Sequence, residues 1–504
     1  MKSTLAGALG AVLALAACTV GPDYRRPSAP VPVHYKEAGW KIGQPADALD
    51  RGPWWRIYRD PVLDRLERRI DISNQNLKAA AAAFREAEAI VAEGRAGFFP
   101  TLTASASAQR SRSGGGSRGG AGVAGAAFGG GAIANFFSQT ASASWVPDLW
   151  GRVRRTVESE VASAEASAAD LANARLSAES TLASDYFQLR IADALKRLLD
   201  QTIAAYTESL RITRNQFAAG VAAPSDVAQA EAQLAAAQAQ QIALGVNRAD
   251  LEHAIAVLTG RPPAELAIAP TPSVSIVPEI PPGVPSALLE RRPDIAAAER
   301  RMAAANAQIG VAEAAFFPDL TLSGDAGTEA SKIGRLFDAS NVVWAFGGQV
   351  AETLFEGGLR HAQVAATRAV LLQNVALYRQ TVLTAFQQVE DELAALRILA
   401  VQQQAAERAA TAAREAERVI FNQYKAGLIP YTNVVVAQAT ALADAETALS
   451  IRQSRLVASV SLIEALGGGW RAAQLPDRRQ IEKDVPLDFS PLPPADAVHF
   501  APLR

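Results

Sequence analysis

Polar and apolar residues alternate in a few short, widely separated stretches of this chain, and between them run long segments whose apolar positions recur at helical spacing. Thr101-Leu102-Thr103-Ala104-Ser105-Ala106-Ser107-Ala108 alternates without a break, and Thr140-Ala141-Ser142-Ala143-Ser144-Trp145 does likewise and ends on an aromatic. Asp319-Leu320-Thr321-Leu322-Ser323 repeats the pattern. A period of two sends successive side chains to opposite faces of a strand. Four strands are expected, roughly at 98–112, 132–147, 316–328 and 341–356, each near the ten or so residues that a tilted membrane-crossing strand needs. Alternation this short also fits a soluble hairpin.

Residues about 150–218 and 357–425 contain no proline; as helices rising 1.5 Å per residue, each would reach about 100 Å. In the first, Leu182, Leu189, Ile203, Leu210 and Phe217 keep a seven-residue spacing, interrupted at Lys196, as a coiled-coil seam does. Short turns at 219–224 and 426–430 carry Gly220 with Pro224 and Gly427 with Pro430, the breakers that separate antiparallel helices. A second helix of about forty residues follows each turn. Shorter helices are predicted before each strand pair, at about 61–96 and 288–315.

The order helix, strand hairpin, long helix, turn, helix therefore occurs twice, and particular residues recur with it. Asn215-Gln216-Phe217-Ala218-Ala219-Gly220 returns 207 residues later as Asn422-Gln423-Tyr424-Lys425-Ala426-Gly427. Phe98-Phe99-Pro100 returns as Phe316-Phe317-Pro318, and Leu149-Trp150-Gly151-Arg152-Val153-Arg154 as Leu354-Phe355-Glu356-Gly357-Gly358-Leu359-Arg360. Periods of about 20–50 residues mark solenoid arrays, whereas a period this long means that a domain-sized unit was doubled. A function that uses both halves, as a ring or tube does, follows. The units are 61–261, with its helical hairpin at about 150–260, and 288–467, with its hairpin at about 357–467. Proline-rich 262–287 joins them, and 18–60 and 468–504 read as extended flanks.

Composition sharpens this picture. Aromatics are 6% of the 504 residues while alanine dominates, which favours long helices packed closely through small side chains. Basic and acidic residues balance at 49 against 51, so the chain carries no global electrostatic footprint for nucleic acid. Residues 1–17 read as an export signal: Lys2 is followed by an apolar stretch, Leu5 to Ala17, too short to span a bilayer. Leu15-Ala16-Ala17-Cys18 resembles the lipobox of bacterial lipoproteins, which implies Cys18 as a mature N-terminus bearing S-diacylglycerol and an N-palmitoyl chain. Three acyl chains exceed the two signals that stable anchoring takes. An ordinary secreted protein with an incidental cysteine is the other reading. Cys18 is the only cysteine, which excludes disulfides within the chain.

No later segment has 18 or more uninterrupted apolar residues, so a membrane crossing would be made by strands. Bacterial barrels start at eight strands, and an open edge in lipid leaves backbone groups unsatisfied at several kcal/mol each. Four strands must then be pooled with copies of the same chain.

Catalytic and cofactor signals are not found. Gly120-Ala121-Gly122-Val123-Ala124-Gly125 fits a dinucleotide pattern but lies in a glycine-rich run without a preceding strand. His34, His253, His361 and His499 are scattered without ligand spacing. There is no P-loop and no nucleophile elbow. No metal or cofactor is predicted, and the chain is not expected to be an enzyme.

Cys18-Thr19-Val20-Gly21-Pro22-Asp23-Tyr24, Trp54-Trp55 with Asp60-Pro61, Glu290-Arg291-Arg292-Pro293-Asp294-Ile295 and the two Phe-Phe-Pro elements together resemble the TolC/OprM type of outer-membrane efflux channel, most closely its NodT-like lipoprotein subgroup. The resemblance covers almost the whole chain. It implies a mostly α fold with a transmembrane β part, in which three protomers form a 12-stranded β-barrel continued by a periplasmic α-helical barrel. It also implies a passive exit duct in the Gram-negative outer membrane, fed through a periplasmic adaptor by an inner-membrane pump of the resistance-nodulation-division type. On that plan Phe98, Phe99, Phe316 and Phe317 lie at the membrane interface, where aromatic girdles flank the lipid band, and glycine-rich 113–131 is an external loop. Gly220, Asp226, Gly427 and Asn433 lie at the periplasmic tip and gate. TolC narrows this end with acidic rings; here Asp226 is the acidic candidate, since the second repeat has Asn433 and Val436. The rival functions are the outer-membrane component of a type I secretion system, a periplasmic adaptor, and a coiled-coil envelope lipoprotein without a pore.

Overall fold

The computed structural model describes residues 19–32, 35–36, 52–112, 133–271, 275–278, 280 and 288–484. Cys18 and the glycine-rich loop lie outside them. A 3-10 turn at Trp54–Tyr58 leads into α1 (Pro61–Ser73) and α2 (Gln75–Ala96). Next come β1 (Thr101–Arg112), β2 (Ile133–Trp145), α3 (Arg152–Ala218) and α4 (Pro224–Leu258). The second half comprises α5 (Leu288–Arg291), α6 (Pro293–Ala314), β3 (Asp319–Ala330), β4 (Val342–Ala351), α7 (Leu359–Lys425) and α8 (Tyr431–Ala465), followed by α9 (Arg478–Asp484).

The duplication is kept in element lengths. α3 and α7 have 67 residues each and α4 and α8 have 35 each, so both units supply staves of matching length. α8 has one window apolar enough by composition to cross a membrane, but it packs against α7 and α3 and buries Val434, Ala441, Leu456, Val460 and Leu462 there.

The helix expected over 61–96 is broken at Asn74. This residue is extended (ψ 122°), its Oδ1 accepts from Leu77 N at 3.1 Å and so caps α2, and its Nδ2 donates to Leu258 O at 2.8 Å. One side chain thus satisfies exposed groups at two helix ends. Arg292 makes the equivalent break before α6: it donates to Ala465 O at 3.0 Å and Gln388 Oε1 at 2.8 Å and pairs with Asp294 at 2.6 Å. The Arg-Arg-Pro-Asp-Ile motif therefore knots α6, α7 and the end of α8. The flank expected to be extended beyond 468 contains α9, because Ile481 is buried with Val91, Val157 and Val161 and Arg95 Nη1 donates to Glu482 O at 2.8 Å.

The sheet order is β1-β2-β3-β4, all antiparallel, which leaves β1 and β4 as open edges. The register sorts the two faces. Ala104, Ala141, Ala326 and Trp344 share one row, and Ser105, Thr140, Gly327 and Val343 share the next. The first face also carries Leu102, Leu320, Leu322, Phe346 and Val350, and Leu102, Trp344, Phe346 and Val350 are among its exposed members. The second is lined on β1 and β2 by hydroxyls, with Ser105 Oγ 2.9 Å from Thr140 Oγ1 and Ser107 Oγ 2.8 Å from Ser138 Oγ.

On the expectation that the apolar row meets lipid and the hydroxyl row water, the two faces should tolerate charge unequally. Ala104→Arg should cost about 2–4 kcal/mol of folded-state stability in lipid vesicles, and Ser105→Arg under about 1 kcal/mol. Urea titration in vesicles measures both; equal losses would contradict this assignment of the faces.

Candidate functional site

Two regions carry the predicted site residues, one at each end of the long helices. At the strand end, both Phe-Phe-Pro elements fall in the turns that precede the strands, which begin only at Thr101 and Asp319. Proline has no N–H to give a ladder. In each pair the first ring is half-buried and the second exposed. Phe98 packs onto the cluster of Val91 and Val157, while Phe316 meets His361 edge-on, centroids 5.0 Å apart. Phe317 stacks on Trp150 at 4.8 Å, and Trp150 Nε1 donates to Pro318 O at 2.8 Å. Trp145 Nε1 donates to Phe98 O at 3.0 Å. The rim therefore contains two tryptophans as well as the four phenylalanines. An amphipathic indole with its N–H engaged suits a membrane–water boundary.

The described chain begins at this rim. Val20 N donates to Trp150 O at 3.1 Å, and Arg155 donates to Val20 O at 3.1 Å and Gly21 O at 3.0 Å. From there the N-terminal segment lies along α6 and α7. Tyr24 OH donates to Glu299 at 2.7 Å, Arg26 to the Tyr378 hydroxyl at 3.1 Å and Lys36 N to Glu390 at 2.6 Å. Asn306 Nδ2 donates to Pro22 O at 2.8 Å. Sequence reasoning placed no role on Trp150, Arg155 or Tyr378, because each acts through distant partners.

At the opposite end, Gly220 and Gly427 close α3 and α7 with φ of 77° and 72°, the left-handed region where a Cβ is strained. Gly220 N donates to Phe217 O at 2.9 Å and Val221 N to Gln216 O at 2.8 Å; Gly427 N donates to Tyr424 O at 2.9 Å and Leu428 N to Gln423 O at 3.0 Å. Both are the same Schellman closure, and both leave Val221 and Leu428 exposed. Asp226 sits on the first turn of α4, where its Oδ2 accepts from Ala223 N at 3.2 Å. Its carboxylate therefore serves the helix start, favourably placed for the macrodipole. Asn433 is exposed and donates only its backbone N–H, to Pro430 O at 3.2 Å.

The tips differ in one respect that their sequences hide. Phe217 is 46% exposed, whereas its counterpart Tyr424 is 4% exposed. The Tyr424 hydroxyl lies 2.9 Å from Thr213 Oγ1 on α3, and its ring lies 5.2 Å from that of Tyr431. Burial pushes the Tyr431 hydroxyl up to about 12, so it stays neutral. The second tip is thereby tied to α3, while Phe217 is left on the open side of the first. Among the described residues no three His, Cys, Asp or Glu side chains gather as a metal site would need.

The Outer membrane efflux protein family matches residues 68–261 and 284–468, one block on each repeat. The chain is 31% identical over 474 residues to the probable efflux pump outer membrane protein TtgC of Pseudomonas putida, covering 93% of this chain and 96% of that protein. It is 33% identical over 473 residues to the pyoverdine export outer membrane protein OpmQ of Pseudomonas aeruginosa, covering 92% and 96%. Its fold is similar to the open state of the Neisseria gonorrhoeae MtrE outer membrane channel, with a TM-score of 0.78, 29% identity and 90% and 99% of the two chains covered. With both repeats matched, the open-edged sheet in place and end-to-end likeness to these channels, the chain belongs to the outer membrane efflux protein family and is the outer-membrane channel component of an efflux system.

Proposed function

We propose that three copies of this chain close into one passive duct, a twelve-stranded barrel in the outer membrane continued by a helical tunnel in the periplasm. The observation that carries this reading is that the protomer is open along two flanks. On the sheet these are β1 and β4. Below it, α4 exposes Ile242, Val246 and Val257, and α7 exposes Leu372, Leu377, Leu383, Ile398 and Val401. Two copies would give eight strands, whose interior is only wide enough for side chains. Three is the smallest number that leaves a passage. The hydroxyl-lined face would then line the lumen and the Trp344 face would meet lipid. Energy comes from an inner-membrane pump, of the resistance-nodulation-division type on the resemblance, through a periplasmic adaptor; nothing on this chain needs to do chemistry. Reconstituted in a planar bilayer, the protein should give discrete conductance steps. Their absence from correctly folded, inserted protein would favour a pore-less envelope spacer.

The tips Gly220 to Asp226 and Gly427 to Asn433 are the surface offered to the adaptor and the constriction that helix shifts widen. Their exposed Val221 and Leu428 support this, as does the open space around either glycine, where among the described residues nothing beyond the chain neighbours lies within 4 Å of where a Cβ would stand. Gly220→Val or Gly427→Val then costs about 1–2 kcal/mol in backbone strain but should cut efflux per assembled duct far more than it cuts protein level. Cysteines at Val221 and Leu428 should crosslink to the adaptor. Normal efflux per duct with no tip crosslinks would place docking elsewhere.

Cys18 is the lipid anchor of this duct, on the strength of the lipobox-like Leu15-Ala16-Ala17-Cys18. The residue that follows it, Thr19, lies against Gly151, beside Trp150 of the aromatic rim, where acyl chains would enter the bilayer next to the barrel. Mass spectrometry of membrane-extracted protein should find Cys18 as the N-terminus with three acyl chains. Cys18→Ser should remove them without preventing assembly, because the strands hold the barrel in lipid independently. An unmodified N-terminus at another residue would rule the anchor out.

A further inference from the structure

Glu67 takes no part in the rim, the tips or the protomer flanks. Its side chain is 1% exposed on α1, and neither carboxylate oxygen has a hydrogen-bond partner. α1 is seated in a core of Leu63, Leu66, Ile70, Leu182, Leu456 and Ile463. An ionised carboxylate there would lose its water with nothing in exchange, so the group is held as the neutral acid. A neutral carboxylic acid is a donor that needs an acceptor. The charged groups acting on Glu67 are both carboxylates: Glu179 across the contact with α3, and Asp71 one turn along α1.

Glu179 is already a junction. Its Oε2 accepts from Trp54 Nε1 at 2.9 Å and its Oε1 from Arg175 Nε at 3.3 Å, and Arg175 also pairs with Asp71. Of the other charges on these elements, Asp64 pairs with Arg68 at 2.8 Å and Arg56 at 3.2 Å on the outer side of α1, burial pushes Asp185 of α3 up to about 6, and Glu464 of α8, raised by burial, lies against Ser180 and Ser177 of α3 and in the field of Arg292. A cleft of about 840 Å³ beside the pair is lined by Trp55, Asp71, Arg175, Glu179 and Trp470, and would admit water to an opened junction.

We propose that Glu67, buried as the neutral acid beside the junction of Trp54, Glu179, Arg175 and Asp71, forms with Glu179 an acid-locked clasp that fastens α1 and the Trp54–Tyr58 turn to α3, and that the clasp loosens as the surroundings turn alkaline. The occupant is a proton, and the moving part is the α1 flank of the midsection.

The direction of the pH effect follows from the burial. Desolvation drives the Glu67 carboxyl well above its usual range, and the Glu179 and Asp71 charges push it the same way. Desolvation also raises Glu179 to about 7, against the lowering by the Trp54 hydrogen bond and by Arg175. Both folded-state values exceed the ordinary 4.5, so the folded form keeps protons that the opened form releases. Clasp stability is therefore greatest below that ordinary value and falls as pH rises through about 7 for Glu179, by up to about tenfold in the closed-to-open ratio per pH unit for each proton released on opening.

The test uses the full chain in its assembled, detergent-extracted form and reads hydrogen exchange of the α1 amides, corrected for intrinsic exchange. Opening of α1 at about pH 8.5 should exceed that at about pH 6 by well over tenfold in the wild type, where both protons are lost. Glu67→Gln has the same shape and cannot ionise; it should reduce the ratio to about tenfold, the share of the one Glu179 proton that titrates at about 7. A wild type insensitive to pH, or a Glu67→Gln variant with the full wild-type dependence, would overturn the proposal. Should that variant not fold, infrared difference spectra of the wild type decide: a protonated-carboxyl band at neutral pH that disappears on raising pH supports the clasp, and the lack of such a band refutes it.

Discussion

The backbone hydrogen bonds left unmade along β1 and β4 govern the rest of this architecture. In water an open edge is tolerable, but in hydrocarbon each unpaired N–H or C=O costs several kcal/mol. A four-stranded sheet with an apolar face carrying Leu102, Trp344 and Phe346 therefore needs further copies before it can rest in lipid. The same demand reaches the helices below. α3 and α7 continue directly from β2 and β4, so a ring closed at the strands must also close along staves of 67 residues. The alanine-rich composition suits this, because small side chains let long helices run close together over many turns.

Duplication supplies the chain with staves of matching length, yet the two halves have diverged at their tips. Tyr424 is fastened to Thr213 across the repeats while Phe217 stands exposed at the matching turn. Asp226 caps its helix, and Asn433 has no such task. The N-terminal segment adds a further asymmetry by binding Glu299, Tyr378 and Glu390 of the second half, with Arg155 near its start as its link to α3. One half is thereby trussed from the rim to the midsection.

Much of this was legible in the sequence because it depends on local physics. Long proline-free runs, glycine followed by proline at both reversals, and strict alternation over Thr101–Ala108 of β1 and Thr140–Trp145 of β2 each reflect backbone preference acting over neighbouring residues. β4 was harder. Val342-Val343-Trp344-Ala345-Phe346 is continuously apolar, and only its pairing with β3 shows which residues share the Leu320 face. The breaks at Asn74 and Arg292 were hidden because both side chains are held by carbonyls that lie far along the chain, at Leu258 and Ala465. α9 was missed for a related reason: a seven-residue helix has too little pattern of its own and is ordered by burying Ile481. Motifs that carried the family resemblance, including Trp54-Trp55 and Arg292-Pro293-Asp294, turn out to fasten elements together. Glu67 gave no signal, since a glutamate between apolar helix positions looks solvated until its neighbours are known.

The central claim, that the open flanks are completed by two further copies, is tested most directly by native mass spectrometry of protein extracted from membranes in mild detergent. The account predicts a single assembly of three chains, retained on dilution. A stable monomer with full β content, or a closed assembly of another number of chains, would contradict it.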